Sequence, residues 1–431
     1  MTTFEHIKDV AQVILNSSDL SESLGHDPSE ATLEFVRDAK ILVIGAGGLG
    51  CEILKDLALS GFTKISVIDM DTIDVTNLNR QFLFRAADVG KPKACVAADF
   101  INNRFGHLGV SVTPYVGMIQ NYSPDFYANF FMVITGLDNI AARRWINSLL
   151  FDLLVRNPAT GEVDPSSIRF LLDGGTEGLK GQARVIIPSM TSCFECTLDS
   201  FPPQTNFPIC TIAETPRQPE HCIEYALLIL WPRAFGEDAK PNFDSSTDVT
   251  WIFEQAAERA KAFGIGGVTY QLTLGVVKRI IPAVASTNAT IAGVLVLEAL
   301  KITTYCNPVL NNYLMYMGQT GLYTHTFEMD KKAGCLVCGG ELKRVVVSKS
   351  DTLQEVLKKM VDDFRLTSPS LSGGSKVLYM QKPESLRKLH EYKLGMTVKR
   401  LIEAGELSME ELLTVTDPVL SGKLVVQLVF H

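Results

Sequence analysis

The nine cysteines of this 431-residue chain fall into settings that suit different sulfur chemistries. Cys193-Phe-Glu-Cys196 and Cys335-Leu-Val-Cys338 are two C-x-x-C pairs. Their four thiolates suit tetrahedral Zn²⁺, and four protein ligands leave no open position, so the metal would be structural. The pairs are too far apart for a compact finger and would staple distant parts of the chain; two unrelated reduced pairs is the alternative. Cys210 sits in Phe-Pro-Ile-Cys-Thr-Ile-Ala, after a proline and before a polar turn, with Arg217 and His221 close in sequence. Nearby cations favour the thiolate, which can attack an activated acyl group. Taken alone, Cys210 reads better as a small buried apolar residue than as a nucleophile. Cys51 and Cys95 lie in helical, apolar company and read as packing residues, whereas Cys222 and Cys306 carry no signal.

A second constellation points to phosphate. Gly45-Ala-Gly-Gly-Leu-Gly50 matches G-x-G-x-x-G between a strand-like run and a helix-like run. Glycine lets the backbone approach phosphate, and a helix N-terminus supplies free N–H groups. Asp69 ends the next strand-like run, where a carboxylate can accept ribose hydroxyls. To this point a dinucleotide oxidoreductase fits as well. The segment Asp69-Met-Asp71-Thr-Ile-Asp-Val-Thr-Asn-Leu-Asn79-Arg80-Gln and then Gly90-Lys-Pro-Lys93-Ala add acids, amides and two cations. Arg80 and Lys93 can neutralise a triphosphate, which hydride transfer does not need. Asp138, in Gly-Leu-Asp-Asn139, can hold Mg²⁺ through one oxygen while waters and phosphates fill the shell. Phosphate loop, paired cysteines and Cys210 together describe adenylation of a carboxylate followed by capture as a thioester.

The elements that must position these residues can be read from hydrophobic patterning. Ile41-Leu-Val-Ile, Ile65-Ser-Val-Ile-Asp, Phe131-Met-Val-Ile-Thr, Phe170-Leu-Leu-Asp and Ala183-Arg-Val-Ile-Ile read as strands, and residues 51–60 as the helix of a β-α-β start. The fold class is α/β with a Rossmann-like parallel sheet. Residues 1–36 read as an N-terminal helical arm, 37–192 and 276–340 as two parts of the nucleotide domain, and 193–275, richer in proline and helical periodicity, as an inserted helical lobe. Residues 345–431 alternate strand and helix in the order of a β-grasp domain. Hydrophobic content of 46 %, charged content of 20 % and a net charge of −8 describe a soluble globular protein and argue against nucleic-acid binding. The apolar run Ala289 to Leu300 is too short to span a membrane, and the N-terminus lacks a signal-peptide pattern. A cytoplasmic or nuclear location is expected.

The runs quoted above, with Asp-Gly-Gly-Thr-Glu-Gly at 173–178, Pro-Glu-His-Cys-Ile-Glu-Tyr at 219–225 and Pro-Ala-Val-Ala-Ser-Thr-Asn-Ala at 282–289, resemble the ubiquitin-like modifier activating enzymes from about residue 37 to the end. The Nedd/Rub-type branch is the better match, and the SUMO-activating branch is the alternative. The resemblance implies an adenylation domain that binds ATP and Mg²⁺ through Gly45, Gly47, Gly50, Asp69, Asp71, Asn79, Arg80, Lys93, Asp138 and Asn139. It implies Cys210 as the thioester nucleophile in a catalytic-cysteine lobe, and structural Zn²⁺ on Cys193, Cys196, Cys335 and Cys338. The last domain becomes a ubiquitin-fold module that recruits a conjugating enzyme. Arg184, in Gly-Gln-Ala-Arg-Val, aligns with an arginine that would repel the arginine in the tail of the wrong modifier. Homodimeric relatives carry an arginine-containing helix before the glycine loop. Here Arg37 is the only arginine before Gly45 and lies too near the first strand, so an inactive adenylation-like subunit is expected to complete a heterodimer.

Overall fold

The structure is a computed structural model that describes residues 7–15, 26–201, 216–236, 239–243, 245–277, 283–306, 311–339, 342–374, 376–409 and 411–430. The chain forms two compact units, one of Met1–Asp199 with Ala283–His431 and the other of Ser200–Pro282. Both ends of the inserted unit fall a few residues beyond the expected 193–275. The first C-x-x-C pair therefore belongs to the larger unit.

The larger unit is built on an eight-stranded sheet of β1 (Lys40–Ile44), β2 (Lys64–Asp69), β3 (Ser111–Val116), β4 (Met132–Thr135), β5 (Phe170–Glu177), β6 (Lys180–Ile186), β7 (Tyr313–Met317) and β8 (Tyr323–Phe327), in the order 3-2-1-4-5-6-7-8. The first five are parallel and the last three continue antiparallel. Ile41 to Ile44 are buried on both faces, as central parallel strands require. β3 was not evident in the sequence because it is an edge strand containing Pro114 and mostly exposed, where a missing N–H is tolerated. β8 is likewise an edge, exposed along nearly its whole length.

Helix Ala285–Thr304 is twenty residues, longer than the apolar run suggested, and long and apolar enough to cross a membrane by length and composition alone. It is instead a core helix: Ile291, Ala292, Leu295 and Ala299 are fully buried with Leu49, Leu54 and Leu172 in one cluster. Gly174 and Gly181 admit it. A Cβ on Gly174 would lie 2.6 Å from Leu295, and one on Gly181 2.5 Å from Ile291.

A second sheet comprises β9 (Lys343–Val347), β10 (Ser370–Gly373), β11 (Lys376–Tyr379), β12 (Leu412–Thr416) and β13 (Leu424–Phe430), in the order 11-10-12-13-9 with β9 and β13 parallel. Helix Leu353–Phe364 carries Leu353, Val356, Leu357 and Met360 into the cluster with Val345, Leu413 and Val426. Thr352 caps it in a capping box with Glu355. This is the β-grasp arrangement.

The inserted unit is helical in its described residues. Cys222, Ile223, Trp231, Ile252, Ala256 and Val277 form its core, and the Trp231 and Trp251 rings meet edge-on at 5.3 Å.

Candidate functional site

In an open parallel sheet, ligands bind at the carboxyl ends of strands where the strand order reverses. Here β1 runs on to β2 and β3 on one side, while β4 and β5 lie on the other, so the reversal falls between β1 and β4. The glycine loop leaves β1 at that point. Gly45 has φ +99, and a Cβ there would sit 2.8 Å from the Gly136 carbonyl oxygen, at the carboxyl end of β4. A Cβ on Gly50 would sit 1.9 Å from the Gly45 oxygen. The glycines thus let loop, helix Gly48–Leu59 and the β4 exit pack within van der Waals limits.

Asp69 holds the loop in shape. Its carboxylate accepts the Ala46 N–H at 2.6 Å and the Asp71 N–H at 2.7 Å. Burial raises its affinity for a proton, against the pull of those two backbone bonds and of Lys93. Asp71 pairs with the buried Lys93 ammonium at 2.9 Å. Arg80 donates to the Thr76 carbonyl at 3.1 Å and to Asn79 Oδ1 at 3.0 Å, and its stem passes over Gly48. Asp138 is exposed beyond β4. Asn139 acts as a helix cap: its Oδ1 accepts the N–H groups of Ala141 (2.7 Å) and Ala142 (3.3 Å). All the nucleotide-site residues expected from the sequence therefore sit on the carboxyl edge of β1, β2 and β4 or on the segments leaving it.

Two residues at this edge had no signal of their own. Gln81 is buried, with its amide nitrogen toward Gly47, and Asn288, from helix Ala285–Thr304, approaches Gly48 while accepting from Thr176 at 2.7 Å. Both lie in runs already singled out by resemblance, but only the fold brings those runs to the loop.

The cysteine pairs converge. Cys193 and Cys335 sulfurs are 3.4 Å apart, Cys196 and Cys338 3.3 Å, Cys193 and Cys196 3.9 Å, and all four lie within 4.8 Å of one another. A regular tetrahedron of thiolates around zinc at ~2.3 Å requires sulfur separations of about 3.8 Å. The four residues therefore fit the metal. The Lys332 N–H points at Cys196 Sγ at 3.4 Å, a bond that suits a thiolate. Contact among the sulfurs lowers the proton affinity of Cys196, and burial raises that of Cys193.

Arg184 corrects an expectation. It is only 2 % exposed, within 3.2 Å of Asp173 and flanked by the rings of Phe194 and Tyr313 at 4.8 and 5.0 Å. Its guanidinium is buried beside Asp173 rather than exposed at the surface. Burial lowers its proton affinity and Asp173 opposes that. The sequence could not distinguish the two placements, because one arginine in a strand fits either.

Cys210 lies outside the described residues. Of the two cations near it in sequence, Arg217 is exposed, but His221 is buried and its Nδ1 accepts the Arg217 N–H at 3.2 Å. Cys51 is fully buried, Cys222 belongs to the core of the inserted unit, Cys306 is buried, and Cys95 is half-buried.

Residues 21–337 match the model of the ThiF family, and residues 346–430 match the E2 binding domain. The chain is 53 % identical over 397 residues to a NEDD8-activating enzyme E1 catalytic subunit of Dictyostelium discoideum, covering 91 % of this chain and 88 % of that one. It is 46 % identical over 419 residues to the Drosophila melanogaster subunit of that description, covering 94 % and 91 %. The corresponding Schizosaccharomyces pombe protein is 45 % identical over 422 residues, covering 93 % and 91 %.

Proposed function

This chain belongs to the ThiF family and, within it, to the NEDD8-activating enzyme E1 catalytic subunits, and from that premise we propose how its residues divide the work. The enzyme activates a ubiquitin-like modifier of the NEDD8 type with ATP and passes it to a conjugating enzyme. In our reading the modifier's C-terminal carboxylate attacks the α-phosphate of ATP held on the glycine loop, breaking the α–β phosphoanhydride bond so that pyrophosphate leaves and an acyl-adenylate remains. Asp69 fixes the loop and meets the ribose. Arg80 and Lys93 neutralise the triphosphate, Lys93 exchanging its Asp71 partner for phosphate oxygens. Asp138 offers a single exposed carboxylate, which fits Mg²⁺; bound there, the ion would polarise the phosphates. The Cys210 thiolate then attacks the acyl-adenylate, forming the C–S bond and releasing AMP. Cys193, Cys196, Cys335 and Cys338 hold Zn²⁺ as a staple. The module at β9–β13 receives the conjugating enzyme.

The observation that carries this reading is the meeting of Gly45 with Gly136 at the strand reversal, which brings phosphate loop and Asp138 exit together. We assign the missing catalytic arginine to an inactive adenylation-like partner subunit. In support, Arg37 lies at the amino end of the sheet: its carbonyl accepts from Thr63 just before β2. The phosphate loop leaves the opposite end of β1, a five-residue strand and so about 16 Å away. Reduced, metal-ready cysteines suit a cytoplasmic or nuclear setting.

Two variants test the division of labour. Cys210→Ala should keep ATP–pyrophosphate exchange and lose the thiol-cleavable bond to the modifier on a non-reducing gel. Asp138→Ala should lose both. A Cys210→Ala protein that still forms a thioester refutes the assignment of the nucleophile.

A further inference from the structure

We propose that Arg143 is the positioning residue that fixes the Asp138 loop for the metal–nucleotide complex, and that Asp173 and Arg184 hold Arg143 in register for it. The inference rests on the role given to Asp138 above. Arg143 lies in the first turns of helix Ile140–Asp152, and long helical side chains lean back toward the N-terminus. Its Nη2 donates to the Leu137 carbonyl, one residue before Asp138, and to the Gly174 carbonyl at 2.8 Å. Its Nη1 reaches Asp173 Oδ2 at 3.4 Å. The Asn139 side chain caps the same helix. Residue 138 is thus held on both sides, by a guanidinium on the preceding carbonyl and by a cap on the following residue, while its own carboxylate stays exposed.

Arg143 is 6 % exposed, so it acts on the loop backbone rather than on a ligand. Its seat is built for it. A Cβ on Gly175 would lie 3.1 Å from both terminal nitrogens, so glycine there leaves room for the guanidinium. Asp173, 1 % exposed, accepts from Thr135 at 2.6 Å and stands between the guanidinium groups of Arg143 and Arg184. A planar fork is needed to bridge two carbonyls and a carboxylate at once; a lysine ammonium is a point charge on a flexible stem and cannot reproduce the set. Placement of a ligating carboxylate to within about 0.5 Å depends on such supporting contacts.

The test uses the complete enzyme with its partner subunit, modifier and MgATP, and reads ATP–pyrophosphate exchange as a function of Mg²⁺. Arg143→Lys should lower exchange and raise the Mg²⁺ concentration for half-saturation, each by roughly 10–100-fold. Gly175→Ala, which keeps Arg143 but pushes on it, should change both quantities in the same direction and stands in if Arg143→Lys does not fold. Because Arg143 acts through Asp138, Asp138→Asn with Arg143→Lys should be no slower than Asp138→Asn alone. Wild-type Mg²⁺ dependence in Arg143→Lys, or losses that multiply in the double variant, overturns the proposal while the role of Asp138 stands. Wild-type Mg²⁺ dependence in Asp138→Asn overturns that role and this proposal with it.

Discussion

Cys51 sits in the helix behind the phosphate loop, fully buried, with its sulfur 3.6 Å from the Ala46 carbonyl oxygen. Burial pushes its thiol from the ordinary 9.0 up to about 12. The unfolded chain therefore releases this proton first. The stability that comes from a neutral buried thiol is complete below pH 9 and is lost as pH rises toward 12, with a slope approaching ~1.4 kcal/mol per pH unit. Cys51→Ala should flatten the alkaline fall of stability above pH 9 and add only a small, pH-independent packing loss. Urea midpoints at pH 7.5 and pH 10 check it; equal alkaline slopes in the two proteins refute it. At this scale the sequence named Cys51 as a packing residue from its neighbours alone. It could not place Arg184 or His221, whose roles depend on Asp173 and on the Arg217 amide.

Elements join through the cysteine pairs. Glu195, inside the first pair, binds Arg144, which also donates to the carbonyls of Phe364 and Arg365 at the end of helix Leu353–Phe364. Leu336 and Val337, inside the second pair, pack on the hydrophobic cluster of the β-grasp sheet. Both cysteine-pair turns thus brace that domain as well as meeting each other. Arg144→Met leaves Glu195 buried without its cation, and breaking such a pair costs about 3–5 kcal/mol. The expected result is a lower melting temperature and faster limited proteolysis. Adding Glu195→Leu should recover most of the loss, because an apolar pair leaves no buried charge. A melt of Arg144→Met that superimposes on wild type counts against this brace.

In the proposed reading, the nucleotide edge of the larger unit takes its last cation from another chain. With Arg37 at the amino end of the sheet, the isolated chain should exchange pyrophosphate roughly 10²–10³-fold more slowly than the heterodimer, the loss typical of one missing electrostatic donor. A partner subunit lacking its arginine should fail to restore the rate. Full activity of the chain alone refutes the assignment.

Legibility followed the range of the forces involved. Hydrophobic period, glycine spacing and the doubled C-x-x-C pattern are local properties, so β1, β2, the phosphate loop, the α/β class and the β-grasp order were readable from the chain. Pro114 hid β3, an edge strand that needs no continuous apolar run; β10 and β12 are interior strands of the second sheet, but at four and five residues with buried positions only at every second residue they show no apolar run either. The sequence by itself determined the motifs and the resemblance, from which phosphate binding, four-sulfur metal ligation and a nucleophilic cysteine are expected. The tertiary structure alone decided which residues share one site. Asp173 with Arg143 and Arg184, Asn288 over Gly48, and Glu195 with Arg144 are distant in sequence, and burial in a common low-dielectric core gives those pairings their strength.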